Sequence, residues 1–438
     1  MPFQPAEART MKFFSPLKQV RRPFPGFFPK VLIFLSVFGP ATITAMADND
    51  ASGVATYSIA GARLGYPILF LLLIITVLLG ITQEMGMRLT LITRKGLADL
   101  IRENYGVKVS VFIFACLVLA NMGTMIVELT AIKTTSEMLH IPPIPAVAAM
   151  VVVSYLFVTK GNYKLTQTIM LITSLFYMTY IFSAFKAKPD WGLAVSNLFY
   201  PHGVTFTTAY LKDYLLIGMG VLGTTITPWG QFFISSFAFD KKIDAAKVKF
   251  SQFETYWGAF LTDFFSFFMI TATAATLYVH NIPLVSGEQA ALAIKPFAGE
   301  LAGTLFALGI LNAGFMGMVV VSLSSSYAFA EFFGLSGSLN TSYTESKTFY
   351  VLFLGQLIVA FVVTLIPGVT LFGLAVASQA LNAMMLPFVF YYLIKLASNK
   401  EIMKEHANNK FQNNFAIIAT VIILITSVAT IFAAIFNL

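Results

Sequence analysis

Two long apolar stretches of this chain are interrupted at mid-length by residues that a lipid-facing helix does not tolerate. The first break reads Ala47-Asp48-Asn49-Asp50-Ala51-Ser52-Gly53, inside an apolar run over 31–66. The second reads Thr224-Thr225-Ile226-Thr227-Pro228-Trp229-Gly230-Gln231, midway along 211–238. A carboxylate near the bilayer centre costs at least about 2.5–3.5 kcal/mol. Pro and Gly at that depth free backbone carbonyls that lipid cannot satisfy, so each break must face protein, a cavity or a ligand. Matched breaks in the two halves of a polytopic chain point to a transporter's binding site at the interface of the halves.

The rest of the chain supports a membrane reading. Hydrophobic residues make up 57% and charged residues 11%, against about 25% charged in ordinary globular domains. Apolar runs long enough to cross a core about 30 Å thick fall near 31–66 (broken), 67–91, 109–138, 143–159, 165–185, 211–239 (broken), 256–281, 298–332, 348–366, 368–394 and 415–437. That predicts an all-α membrane protein of eleven transmembrane helices. Residues 1–30 carry six Lys or Arg and no continuous apolar segment, which reads as a basic cytoplasmic tail rather than a cleaved leader. The net charge of +8 does not call for a nucleic acid. With the amino terminus inside, most basic residues, among them Arg21, Arg22, Arg94, Lys95, Lys241, Lys242, Lys247, Lys249, Lys400 and Lys404, fall on inner segments, as the positive-inside rule requires. The carboxyl terminus then lies outside. Cys116 is the single cysteine, so no intramolecular disulfide forms.

Grouping the spans as five, five and one places a broken helix first in each set of five. An odd number of crossings per unit inverts the second unit relative to the first. The units are then a first repeat over 31–185, an outer loop over 186–210, a second repeat over 211–394, an inner loop over 395–414 and a final helix over 415–438. No residue-level identity between the halves supports the repeat. The stretch 240–254 is amphipathic and long enough for a short interfacial helix, and the outer loop with Trp191, Pro201 and His202 caps the external side.

Asp48 or Asp50 could simply cap the second half of the first helix, since Asp and Ser are favoured N-caps. A cap has no need of the bilayer midplane, however, and either carboxylate can turn into a cavity where the helix unwinds. The second break adds Thr227, Gly230 and the carbonyls freed by Pro228, where the plain alternative is a Pro kink. Carboxylates and carbonyls are hard ligands suited to Mg²⁺, Mn²⁺ or Ca²⁺. Neither break contains His, Cys or Met, and His140, His202, His280 and His406 sit in or near loops. Gln379 is an intramembrane amide beside Ser378, able to line a cavity or to join helices. Glu128 and Lys133 in the third span are spaced i and i+5, so they do not pair. Gln83, Glu84 and Arg88 close the second span, where snorkelling accounts for them.

These positions resemble the NRAMP family of divalent-metal transporters, whose fold is the LeuT-type 5+5 inverted repeat with helices 1 and 6 broken. The resemblance rests on Gly39-Pro40, Asp50 to Gly53, Gly61-Ala62, Gly65-Tyr66, Gly309 to Gly314, Ser378-Gln379 and Leu386-Pro387-Phe388. It implies an ion site formed by Asp50, Gly53, Thr227 and Gly230, the carbonyls of Ala47 and Thr224, and the amide of Gln379. Asp48 and Glu128 are secondary candidates. The family carries Asp-Pro-Gly-Asn in the first break and Met-Pro-His-Asn in the second. This chain has Asp50-Ala51-Ser52-Gly53 and Thr227-Pro228-Trp229-Gly230 instead, so an asparagine ligand and the methionine sulfur are lost and the site is expected to be wider. The family's proton-handling histidine falls on Ile234, and its third-helix acids on Asn121, Glu128 and Ala131.

That combination is similar to the NRAMP-related magnesium transporters. It implies Mg²⁺ uptake, with Mn²⁺ tolerated, by alternating access around a partly hydrated ion and without obligatory proton coupling. The transported ion is then the substrate, and no cofactor or nucleic acid is implied. The expected partners are the ion and the lipid bilayer of a plasma membrane, by resemblance a bacterial inner membrane. A monomer suffices for the mechanism. The competing readings are a proton-coupled carrier of Mn²⁺ or a trivalent metal, an amino-acid symporter, and a receptor. An amino-acid carboxylate would be repelled by Asp50, and a receptor would need a soluble domain that the chain lacks. No nucleophile–base set suggests an enzyme.

Overall fold

The computed structural model describes residues 34, 37–295 and 299–436. The expected basic tail over 1–30 and the start of the first span lie outside the described residues. Within them the chain is helical, and nine helices are long and apolar enough to cross a membrane. Two broken helices complete the eleven crossings. The first consists of α1 (Pro40–Ala47) and α2 (Ala51–Leu64), followed by α3 (Leu69–Thr93), α4 (Leu97–Met138), α5 (Pro143–Lys160) and α6 (Tyr163–Ala187). The second consists of α7 (Thr208–Thr225) and α8 (Pro228–Asp240), followed by α9 (Val248–Thr273), α10 (Ala302–Phe333), α11 (Lys347–Thr364) and α12 (Leu371–Ser398). The final helix is α13 (Lys410–Phe436).

Local chemistry sets both breaks. Asp50 adopts an extended backbone and its carboxylate caps α2 by accepting from the Gly53 N–H. In the second helix Pro228 has no N–H for the carbonyl of Thr224, Ile226 is extended, and the Thr227 hydroxyl caps α8 by accepting from Gly230 N–H. Helix ends differ from the hydropathy reading where polar turns continue a helix beyond its apolar part. The third crossing starts at Leu97 rather than 109, because α4 bends at Gly106 (φ 82°) instead of ending there. The interfacial helix expected over 240–254 does not form separately; after a 3-10 turn at Ala245–Lys247 the segment enters α9 directly. The outer connection carries a short helix, Trp191–Ser196, capped by Asp190.

The two broken helices lie side by side, α2 against α7 and α1 against α8. Helix α9 packs along α1, α2 and α3, while α4 runs along α10 and α12 flanks both α7 and α2. Side chains pin the broken helix at both ends. Glu254 Oε1 on α9 accepts from Gly39 N–H (2.7 Å) and Thr42 N–H (3.0 Å), the orphan donors at the start of α1. Lys241 donates to the carbonyl of Val37 (3.0 Å), and Gln167 to that of Phe38 (3.1 Å). At the other end Tyr210 donates to Leu64 O (2.8 Å) and Arg63 pairs with Asp213 (2.9 Å).

One charged pair departs from its sequence reading. Arg88 does not snorkel: it and Glu84 are buried and paired at 2.6 Å. Arg88 also donates to Asn408 Oδ1, while Glu84 accepts from Gln252 and Gln412. The cluster joins α3 and α9 to α13, a tertiary arrangement that hydropathy does not encode. Arg88→Met leaves the Glu84 charge buried without its partner, a loss of about 3–5 kcal/mol. A clear fall in the melting temperature of the detergent-solubilised protein checks this, and an unchanged melting curve contradicts it.

Candidate ion site at the paired helix breaks

The fold brings the two interruptions to one place. The Thr227 hydroxyl at the start of α8 lies 3.4 Å from Asp48 Oδ1 at the end of α1. A Cβ built on Gly230 would stand 3.8 Å from the same oxygen. A Cβ on Gly53 would meet Thr224 Oγ1 at 3.1 Å, which puts the last turn of α7 against the first turn of α2. Asp48, Asp50, Thr224, Thr227 and Gln379 are all 3% exposed or less, so the site is buried.

The two carboxylates divide the work. Asp50 Oδ1 accepts from Ser52 Oγ (2.6 Å) and Gly53 N–H (2.8 Å), so one of its oxygens holds the N-terminus of α2. Asp48 is freer. Its Oδ2 is buried with no hydrogen-bond partner among the described residues, a condition that a buried polar atom rarely sustains without a ligand, ion or water. Asp50 thus caps α2, one of the alternatives left open by the sequence, while Asp48 keeps one buried oxygen without a partner among the described residues.

Behind Asp50 stands a polar relay. Glu128 on α4 accepts from the N–H groups of Ala51 (3.1 Å) and Ser52 (3.0 Å), two further orphan donors at the start of α2. Gln379 on α12 donates to Ser52 Oγ (2.6 Å), and Asn382 donates to Gln379 Oε1 (2.6 Å) and to Thr124 (3.0 Å). Gln379 therefore reaches the first break through Ser52. Gly317 on α10 admits this packing, since a Cβ there would come 2.4 Å from Glu128 Oε2 and 2.7 Å from the Asp50 Cβ. Lys133 turns away and donates to Thr364 O (3.2 Å), so it forms no pair with Glu128.

Two expectations about room and free carbonyls change. The space at Gly53 is already taken, because a Cβ there would lie 2.3 Å from the Asp48 carbonyl oxygen. Glycine is needed for close backbone approach rather than to open the site. The Ala47 carbonyl accepts from Asp50 N–H (3.1 Å), so the turn at Asp48–Asp50 uses part of its capacity. The Thr224 carbonyl, opposite Pro228, has no such intrahelical donor.

The sequence reading passed over Asn49, Asn382 and Asp263. Asn49 donates to Thr262 Oγ1 (2.7 Å) and accepts from Ser266 (2.9 Å), fastening the first break to α9. Asp263, also on α9, is 4% exposed, and neither of its carboxylate oxygens has a partner among the described residues. An acid inside the apolar run 256–281 was the available signal. In chemical terms the site offers carboxylate, hydroxyl and carbonyl oxygens and no sulfur or imidazole from either break, the Gln379 amide oxygen being turned to Asn382, a donor set for a hard divalent cation.

Comparison with known proteins agrees with this architecture. A family profile described as "Natural resistance-associated macrophage protein-like", or Nramp, matches residues 41–433. A relative named divalent metal cation transporter MntH, from Caldanaerobacter subterraneus subsp. tengcongensis, is 24% identical over 409 residues, covering 90% of this chain and 91% of its own length. Among solved structures, the Eremococcus coleocola manganese transporter, in complex with an aromatic bis-isothiourea substituted compound, superposes with a TM-score of 0.77 at 20% identity, covering 95% of this chain and 89% of that one. MhsT in complex with L-phenylalanine gives a TM-score of 0.59 at 13% identity, covering 90% of this chain and 98% of that one. These likenesses show a shared fold.

Proposed function

Because this chain belongs to the Nramp family, we propose that it is an integral membrane transporter of divalent metal ions, with Mg²⁺ as its principal cargo and Mn²⁺ also accepted. The observation that carries this reading is the buried, unpartnered Asp48 Oδ2, set with Asp50 behind it and the Thr227 hydroxyl opposite. The ion is anchored by Asp48 and Asp50, with oxygens from Thr227, Thr224 and Ala47 completing its surroundings, Gln379 holding Ser52 rather than offering its own oxygen, and Gly53 and Gly230 keeping the backbones close. Mg²⁺ dehydrates reluctantly and keeps several waters, which suits few side-chain ligands. Alternating access then follows from motion of the broken helices against α4, α10 and α12.

In this arrangement the repeats are 31–185 and 211–394, the amino terminus and the 395–414 loop face the cytoplasm, and the carboxyl terminus lies outside. The basic residues on inner segments support that orientation. A bacterial inner membrane is consistent with the bacterial relatives. A second reading, Mn²⁺ as the main cargo, is favoured by the neighbouring structure described as a manganese transporter. Flux into liposomes holding the purified protein, comparing Mg²⁺, Mn²⁺ and Ca²⁺, separates the two. Saturable Mg²⁺ uptake at least equal to that of Mn²⁺ supports the first, and uptake of Mn²⁺ alone supports the second.

Selectivity gives a further test at Thr227. Thr227→Met supplies a thioether where the chain has a hydroxyl and raises the uptake ratio of Mn²⁺ or Cd²⁺ over Mg²⁺, because softer ions gain from sulfur. The expected change is on the order of tenfold, equivalent to about 1.4 kcal/mol. Thr227→Val is the control, since it loses the cap on Gly230 N–H without adding sulfur. Pairing the change with Gly53→Asn requires a backbone shift at Asp48, so the single substitution is the cleaner measurement. An unaltered ion ratio in Thr227→Met counts against Thr227 facing the ion.

A further inference from the structure

Outside the residues of the ion site, α4, α12 and α13 line a groove of about 610 Å³. Pro387 lies within α12 and lines the groove. Having no N–H, it removes one helical hydrogen bond at the level of the groove. The groove is apolar along most of its length and polar at one end. Phe112, Phe388, Ile417 and Val421 line the apolar part, and each is at least 39% exposed. An edge contact between Phe112 and Phe388 (centroids 5.4 Å apart) makes the floor between α4 and α12.

The polar end carries Lys395, Ser398 and Asn413. Ser398 donates to Asn413 Oδ1 (2.7 Å), which leaves the Asn413 NH₂ without an acceptor among the described residues. Lys395 is exposed and has no carboxylate within 4.0 Å among the described residues; its ammonium lies 5.9 Å from the Tyr391 ring centre. Lys108, one helical turn before Phe112 and also exposed, likewise has no acidic partner among the described residues. The site thus joins an apolar slot to one lining cation, Lys395, and a spare amide donor, with Lys108 a helical turn from the lining Phe112, and with Tyr391 and Tyr392 also lining it, at the level where aromatic side chains meet lipid headgroups.

We propose that this groove is a binding site for an anionic glycerophospholipid of the leaflet at the inner ends of α4 and α12. One acyl chain lies along Phe388, Ile417 and Val421, and the phosphate sits between Lys108 and Lys395 within reach of Asn413. A zwitterionic lipid fills the slot equally well but leaves its own cation facing the lysines. The lipid bridges α4, α12 and α13, and α12 is the helix that carries Gln379 and Asn382 to the ion site.

The test is native mass spectrometry of the purified full-length protein titrated with phosphatidylglycerol or with phosphatidylcholine of the same acyl chains, with melting temperature read in parallel. Phosphatidylglycerol is expected to bind more tightly and to stabilise more. Lys108→Gln with Lys395→Gln is expected to remove the preference, by about fivefold for each lysine lost. Ile417→Trp, which fills the slot, is expected to weaken both lipids. Equal retention of the two lipids by the wild type overturns the proposal. So does an undiminished phosphatidylglycerol preference in the double variant, or a dimer rather than a lipid adduct as the species that Ile417→Trp removes.

Discussion

Asp48→Asn and Asp50→Asn are each expected to abolish saturable divalent-ion uptake while the protein still folds and inserts. A unit charge about 4 Å from an ion contributes about 4 kcal/mol per elementary charge of the ion at an effective dielectric of 20. Loss of either carboxylate from a divalent site therefore weakens binding more than about 100-fold, or about 2.7 kcal/mol. Asparagine is the informative replacement at 50, because its amide oxygen still accepts from Gly53 N–H and keeps the cap on α2. Asp50→Ala removes charge and cap together, and the cap alone is worth about 1 kcal/mol. At 48 no cap is involved: among the described residues the carboxylate accepts from Thr227 alone and leaves Oδ2 without a partner. Uptake and thermal stabilisation by Mg²⁺ are measured on the same preparations. Wild-type uptake in Asp50→Asn would assign the ion to Asp48 alone, and wild-type uptake in both would place it elsewhere.

Mg²⁺ entry is expected to leave the interior pH of proteoliposomes unchanged when the membrane potential is clamped. Proton coupling needs a titratable group whose proton affinity differs between outward- and inward-facing states. At the positions that resemble the family's proton-handling residues, Asn121 donates to Ser325 (2.7 Å) and holds α4 to α10, while Ala131 and Ile234 are buried apolar groups. Glu128 remains, but both of its oxygens accept backbone N–H groups of α2. That bonding describes a helix cap supplied from a neighbouring helix, and a cap does not need to cycle a proton. The driving force is sufficient without protons, since a membrane potential contributes about 2.3 kcal/mol per elementary charge per 100 mV. Glu128→Gln keeps one acceptor oxygen and turns the other into an amide that faces an N–H, so slower transport through loosened α2 is expected. The decisive reading is stoichiometric acidification of the wild type that vanishes in Glu128→Gln; that result would make Glu128 a proton carrier and reject uniport.

The architecture was legible because the bilayer imposes rules that act on sequence directly. Apolar length, the sidedness of basic residues and the cost of a mid-membrane carboxylate each depend on one segment and its solvent. From them came the eleven crossings, the two breaks and the candidates Asp48, Asp50 and Thr227, without knowledge of any neighbour, whereas the preference for Asp50 came from the family resemblance. The partners of those residues were beyond such rules. That Asp48 rather than Asp50 carries the unpartnered oxygen, that Gly53 exists to admit the Asp48 carbonyl, and that Glu128 caps α2 from 77 residues away are facts of helix-to-helix distance. Arg88 shows the same limit in reverse. At the end of an apolar run its composition says snorkelling, and only the approach of α13, with Asn408 and Gln412, makes it part of a buried network. Hydropathy and local capping are properties of a segment in its medium, whereas hydrogen-bond satisfaction is a property of the packed whole, and it is the latter that turns two broken helices into one site.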